Sequence, residues 1–115
     1  MTLIIYHNPR CSKSRQTLAL IEAAGAQVET IRYLETPLSP GLITELRQKL
    51  GYSSVREFMR KGEPIYKALG LGDITDESAL IAAMAQNPKL IERPIVVKGE
   101  KAILGRPPEN VRDFL

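Results

Sequence analysis

The sequence predicts an α/β fold in a single domain spanning residues 1–115. Three observations carry this reading. A short apolar run near the start, Thr2 to Tyr6, passes into a helical pattern and then a β-rich segment; the middle of the chain repeats its apolar residues at helical spacing; and two β-branched runs near the end flank four polar residues.

Taken in order, Thr2 to Tyr6 reads as a strand buried on both faces of a mixed or parallel sheet, and His7-Asn8-Pro9-Arg10 breaks it. From Ser12 the spacing predicts a helix with Leu18, Ile21 and Ala24 on one face and Gly25 as its stop. Val28 to Tyr33 is a second β-rich segment, and the helix between the two is long enough for a right-handed parallel crossover. Ser39-Pro40 pairs a good N-cap with proline at the first helical position, opening a helix with Leu42, Ile43, Leu46 and Leu50 that ends at Gly51. Ser54 and Glu57 form a capping box for a short helix ending near Arg60-Lys61-Gly62. Glu63-Pro64 starts another short segment through Leu69, and Thr75 caps a helix carrying Leu80, Ile81 and Met84. Ile95-Val96-Val97 and Ala102-Ile103-Leu104 form an antiparallel hairpin with Gly99-Glu100 as its turn. Pro107-Pro108-Glu109 leads into a last short helix with Val111, Phe114 and Leu115 apolar. This is the element order of a thioredoxin-like fold: a βαβ unit plus a β-hairpin and C-terminal helix, with an all-helical insertion at about residues 39–88.

Composition narrows the function. Hydrophobic residues make up 43% and charged residues 25%, which suits a folded globular chain. No apolar run approaches membrane-spanning length, so no membrane association is expected and the cytoplasm is the default location. The net charge of +3 comes from sixteen Lys and Arg interleaved with thirteen Asp and Glu, with no Trp and two Phe. Dispersed charge with few stacking platforms argues against nucleic acid and for a small anionic ligand. One cysteine excludes an intrachain disulfide and fits a reducing compartment; one cysteine with one histidine cannot supply the three or four ligands of a zinc site, so no metal is expected.

Cys11 is the candidate nucleophile. It lies between a buried strand and a helix, where free helix N–H groups and the helix dipole favour a thiolate. Arg10, Lys13 and Arg15 push the same way, and His7 at the strand end can add a positive charge or a hydrogen bond. The competing reading makes Cys11 a small buried hydrophobe and His7 a loop residue. Ser14 stands where a dithiol motif places its second cysteine, so an oxidised Cys11 must be resolved by an outside thiol. A phosphatase-type loop needs arginine six positions after its cysteine, and Thr17 is there instead.

Arg60, Arg93 and Arg106 stand at element ends, where planar guanidinium forks can reach a common oxyanion; singly, each also reads as a surface arginine paired with an acid. Arg93 precedes Pro94 at the start of a strand, and the likeness to thioredoxin folds implies a cis-proline there, opposite the cysteine.

Several separated blocks match a known pattern in order: Ile5-Tyr6-His7-Asn8-Pro9-Arg10-Cys11-Ser12-Lys13-Ser14-Arg15, Tyr33-Leu34-Glu35-Thr36-Pro37, Met59-Arg60-Lys61, Glu92-Arg93-Pro94-Ile95-Val96-Val97 and Leu104-Gly105-Arg106-Pro107. Over nearly its whole length the chain resembles the glutaredoxin-dependent arsenate reductase family, and its short chromosomal members in particular. The resemblance implies attack of the Cys11 thiolate on arsenate or a similar small oxyanion, a thioarsenate ester, then glutathione as co-substrate and glutaredoxin as partner. No bound cofactor is implied, and a monomer is expected. On the matching positions Arg60, Arg93 and Arg106 hold the oxyanion, His7 depresses the thiol pKa, and Ser14 and Arg15 sit beside the nucleophile. Arg10 departs from the pattern, occupying a position that is small in the plasmid-type enzymes.

Two other functions fit parts of the sequence. A monothiol redox protein without arsenate activity needs Cys11 but not the three arginines together. A redox regulator that binds RNA polymerase through the helical insertion belongs to the same superfamily, but Ser14 removes the usual Cys-x-x-Cys switch.

Overall fold

The computed structural model describes residues 2–115. Two compact units divide them. One combines the residues up to Thr36 with Arg93–Leu115; the other is the continuous stretch Pro37–Glu92.

The first unit is built on a four-stranded mixed sheet. Strand β1 (Leu3–Tyr6) is followed by helix α1 (Ser12–Ala23) and strand β2 (Val28–Ile31), while β3 (Ile95–Lys98) and β4 (Lys101–Leu104) come from the far end of the chain. Their order is β2-β1-β3-β4, with β2 parallel to β1, and β3 antiparallel to both β1 and β4. This is the thioredoxin-like α/β arrangement. Register puts Ile5 opposite Val96, so the alternation of each strand brings Leu3, Ile5 and Val96 to one face. Ile21 of α1 and Val111 of the terminal segment complete a fully buried cluster there. Each such aliphatic side chain contributes about 1.5–3 kcal/mol by leaving water.

Three local features refine the sequence reading. The buried stripe of α1 is Ser14, Thr17 and Ile21, while Ala24 lies exposed beyond the helix, because two hydroxyl side chains find partners inside. The terminal segment Pro108–Phe114 is a 3₁₀ helix with Leu115 exposed at its end. The peptide bonds before Pro94 and Pro107 are both cis, the second unforeseen. The hairpin turn is the expected Gly99-Glu100, with Lys98 paired to Lys101 and Gly99 at a φ of 61°, which glycine adopts without a Cβ clash.

The second unit is helical. Helix α2 (Pro40–Leu50) starts on Ser39, whose Oγ accepts from the Leu42 amide at 3.1 Å, and closes at Gly51. The Ser54–Glu57 box exists, but it caps a single 3₁₀ turn, Val55–Phe58. The chain then leaves for an antiparallel bridge between Met59 and Ile91, with the Arg60 amide donating to the Leu90 carbonyl at 2.7 Å. Helix α3 (Pro64–Ala68) is short, and helix α4 (Glu77–Gln86) is capped by Asp76, one residue after the expected Thr75. Phe58, Leu46, Leu80, Met84 and Leu90 are buried within this unit. Among the described residues no helix is long and apolar enough to cross a membrane.

Candidate active site around Cys11

Strand β1 ends at Tyr6 because its ladder partner ends there, and the His7 amide makes the last parallel bond, to the Ile31 carbonyl at 2.8 Å. The chain then turns sharply. Asn8 Oδ1 accepts from the Arg10 amide at 3.0 Å, and the Asn8 carbonyl accepts from the Cys11 amide at 3.0 Å, a side-chain-assisted turn of the kind asparagine favours. Cys11 is therefore the N-cap residue of α1, with extended backbone and a half-buried side chain.

The thiol pKa is shifted below its ordinary value. Burial is the largest influence and opposes this, pushing the pKa up. It is outweighed together by the Ser14 amide, the hydrogen bond and positive charge of the Arg93 side chain, and the Lys13 amide. The two amides face sulfur without closing a capping bond of strict geometry. Arg106 Nη1 lies 4.0 Å from Cys11 Sγ, at the limit of an N–H···S contact, and donates to the Arg93 carbonyl at 3.2 Å. Arg93 Nε is buried with no hydrogen-bond partner among the described residues. Cys11, Arg93 and Arg106 thus come together: a thiol inclined to ionise beside two arginines.

Of the two expectations for His7, a positive charge or a hydrogen bond, the geometry gives the hydrogen bond. Burial lowers its pKa from 6.5, and the positive charges of Arg32 and Arg15 lower it further, against a smaller opposing effect of Glu22. The shift favours the neutral imidazole over the charged one. Its Nδ1 lies 2.6 Å from Ser14 Oγ, which also accepts from the Asn8 amide at 3.1 Å. The pair ties α1 to the turn that carries Cys11. Arg15 donates to the Pro9 carbonyl at 3.0 Å, steadying the same turn from outside. Arg60 belongs to the second unit, where Nε donates to Glu63 Oε1 at 3.1 Å and Nη1 lies 3.9 Å from Glu92 Oε2.

The ArsC family model matches residues 6–114. The chain belongs to the ArsC family. A relative from Escherichia coli K12, "Uncharacterized protein YfgD", is 53% identical over 112 residues, 96% of this chain and 94% of that one. An arsenate reductase of Haemophilus influenzae is 45% identical over 116 residues, covering 100% of both chains. Among solved structures, "Arsenate reductase from Vibrio cholerae" matches with a TM-score of 0.96 and 53% identity, over 100% of this chain and 98% of that one.

Two residues that position the site in this ArsC-family chain escape a sequence reading based on apolar periodicity. Thr17, fully buried, donates from Oγ1 to the Lys13 carbonyl at 2.8 Å, with the Gly105 carbonyl at 3.4 Å. Gly105 donates to the Pro94 carbonyl at 2.9 Å, and a Cβ there would lie 2.5 Å from Thr17 Oγ1 and 2.7 Å from Pro94 Cγ. Only glycine lets the Arg106 loop approach both α1 and Pro94. The available signal was weak: a threonine in an apolar stripe and a glycine directly before an arginine. Among the described residues no group of three His, Cys, Asp or Glu side chains is placed to hold a metal.

Proposed function

We propose that this chain is an arsenate reductase of the glutathione- and glutaredoxin-dependent kind, with Cys11 as nucleophile. The observation that carries the reading is the Arg93 guanidinium: it lowers the thiol pKa while its buried Nε–H has no hydrogen-bond partner among the described residues, a donor suited to an anion brought to the thiolate. The names of the Haemophilus and Vibrio relatives support the same oxyanion. Arg93 and Arg106 are the two arginines we assign to arsenate.

In this scheme the Cys11 thiolate attacks arsenic, and one arsenate oxygen takes up a proton and leaves as water. Glutathione displaces a second oxygen in the same way, and arsenic stays pentavalent through both steps. A glutaredoxin thiolate then attacks the glutathione sulfur. The arsenic–sulfur electron pair stays on arsenic, giving the trivalent state and a glutathione–glutaredoxin disulfide. Hydrolysis of the remaining bond releases arsenite and the thiolate. The lone cysteine is consistent with this chemistry, because every oxidising equivalent leaves on outside thiols. Arginine side chains bound to the developing charge stabilise the first transition state.

Arsenite formation by purified protein with arsenate, glutathione and glutaredoxin tests the reading. Turnover that disappears in Cys11→Ser is expected; no arsenite from the native chain, or undiminished turnover in Cys11→Ser, overturns it.

A further inference from the structure

The Cys11 turn has a second side, which the arsenate scheme leaves unused. A cleft of about 250 Å³ opens there, lined by His7, Pro9 and Arg10 with Arg32, Leu34 and Glu35 from the segment after β2. All of these residues lie in the first unit. We infer that this cleft binds the thiol co-substrate, a short peptide thiol bearing free carboxylates and an ammonium group, of the glutathione class. The inference rests on the proposed function, since it names where that reaction's second reactant is held.

Position comes first. Arg10 directly precedes the proposed nucleophile, so their Cα atoms are about 3.8 Å apart, and the cleft adjoins the turn that carries Cys11, which is not itself in the wall. Arg93 and Arg106, which face the thiol, are absent from the cleft wall, so an oxyanion and a thiol donor need not compete for the same residues. Charge comes second. Arg10 and Arg32 face the cleft against one acid, Glu35, which lies 4.0 Å from Arg32 in a largely exposed pair. Arg10 anchors its backbone on Asn8, and no ion pair engages its side chain among the described residues. The pKa of His7 in the cleft wall is lowered partly by Arg32, an independent sign of positive potential there. Two guanidinium groups and one carboxylate complement a zwitterionic peptide carrying more carboxylates than ammonium groups. Size comes third. Pro9 and exposed Leu34 give the cleft an apolar wall, and its volume takes one end of a tripeptide while the rest reaches outward toward the turn. Arg10, the position that departs from the family pattern, thereby gains a role.

The test uses S-methylglutathione, which cannot react, titrated into isotope-labelled full-length Cys11→Ser protein and followed by amide chemical shifts. Saturable shifts at His7, Asn8, Leu34 and Glu35 are expected, with affinity at least tenfold weaker in Arg10→Glu or Arg32→Glu and largely restored in Arg10→Lys or Arg32→Lys. Absence of shifts at these amides, or equal affinity in the charge-reversed variants, overturns the cleft. The measurement needs no arsenate. Binding at the cleft in a protein that makes no arsenite retains the peptide-thiol site and removes arsenate as the substrate; arsenite formation without binding at the cleft does the reverse.

Discussion

Burial opposes ionisation of Cys11, and Arg93 together with two backbone amides outweighs it, so the thiol pKa lies below its ordinary value. Alkylation by iodoacetamide is accordingly expected to reach half its maximal rate at a lower pH than for a free cysteine, and Arg93→Ala is expected to move that midpoint up. An unchanged midpoint would mean that the helix amides suffice. At His7 the shift is also downward, but there it favours the neutral form. Folding lowers its pKa below 6.5, so beneath that pH the unfolded chain binds more protons and stability falls as pH falls. Urea unfolding on both sides of pH 6.5 should show this slope in the native chain and a smaller one in His7→Gln. Ser14→Ala strands the buried Asn8 amide and should cost about 1–3 kcal/mol in the same assay.

Between elements, the site depends on contacts that no local pattern reveals. Thr17 joins the first turn of α1 to Gly105, and Gly105 joins Pro94, so β3, β4 and α1 meet on atoms too close for an added methyl group. Gly105→Ala is expected to destabilise the protein by about 1–3 kcal/mol in thermal unfolding, through overpacking. Elements whose signals lie within one turn were legible in the sequence: the Ser39-Pro40 start and Gly51 stop of α2, the Ser54–Glu57 box, and the two-residue hairpin turn. Where two cap residues stand side by side, as Thr75 and Asp76 do, spacing cannot choose between them; Asp76 wins by accepting from the Ser78 amide at 3.1 Å. The helix expected to run to Arg60 stops at Phe58 because its continuation pairs with Ile91, a partner distant in sequence. Cys11 was legible from its place between strand and helix. The downward shift at His7 was not, since burial and Arg32 produce it together.

At the scale of the whole chain, the first unit is closed by its last segment. Strand β1, made first, finds its antiparallel partner β3 only near the end, and the buried cluster around Ile5 and Ile21 needs Val96 and Val111. Such non-local pairing bears its loop-closure entropy before it gains contacts. A chain ending at Glu92 is therefore expected to lose slow amide exchange at Ile5 and Ile21, measured against the full chain; retained protection there would show that α1 and β2 hold β1 without the hairpin. Ancestry and fold are fixed at this scale, by a family match across residues 6–114, while two arginines that flank the late hairpin, Arg93 and Arg106, meet the thiol of an early turn.

The same placement gives Cys11 a structural task beside the chemistry proposed for it. Helix α1 begins on a residue whose side chain closes no formal cap, where serine, threonine, asparagine or aspartate would ordinarily accept from the open amides. A negative sulfur takes over that task, and the depressed pKa is the measure of it. Adduct formation neutralises the sulfur and withdraws the anion from the helix end. Under the proposed function, the thiolate form is therefore expected to hold the first turn of α1 more firmly than the covalent adduct does.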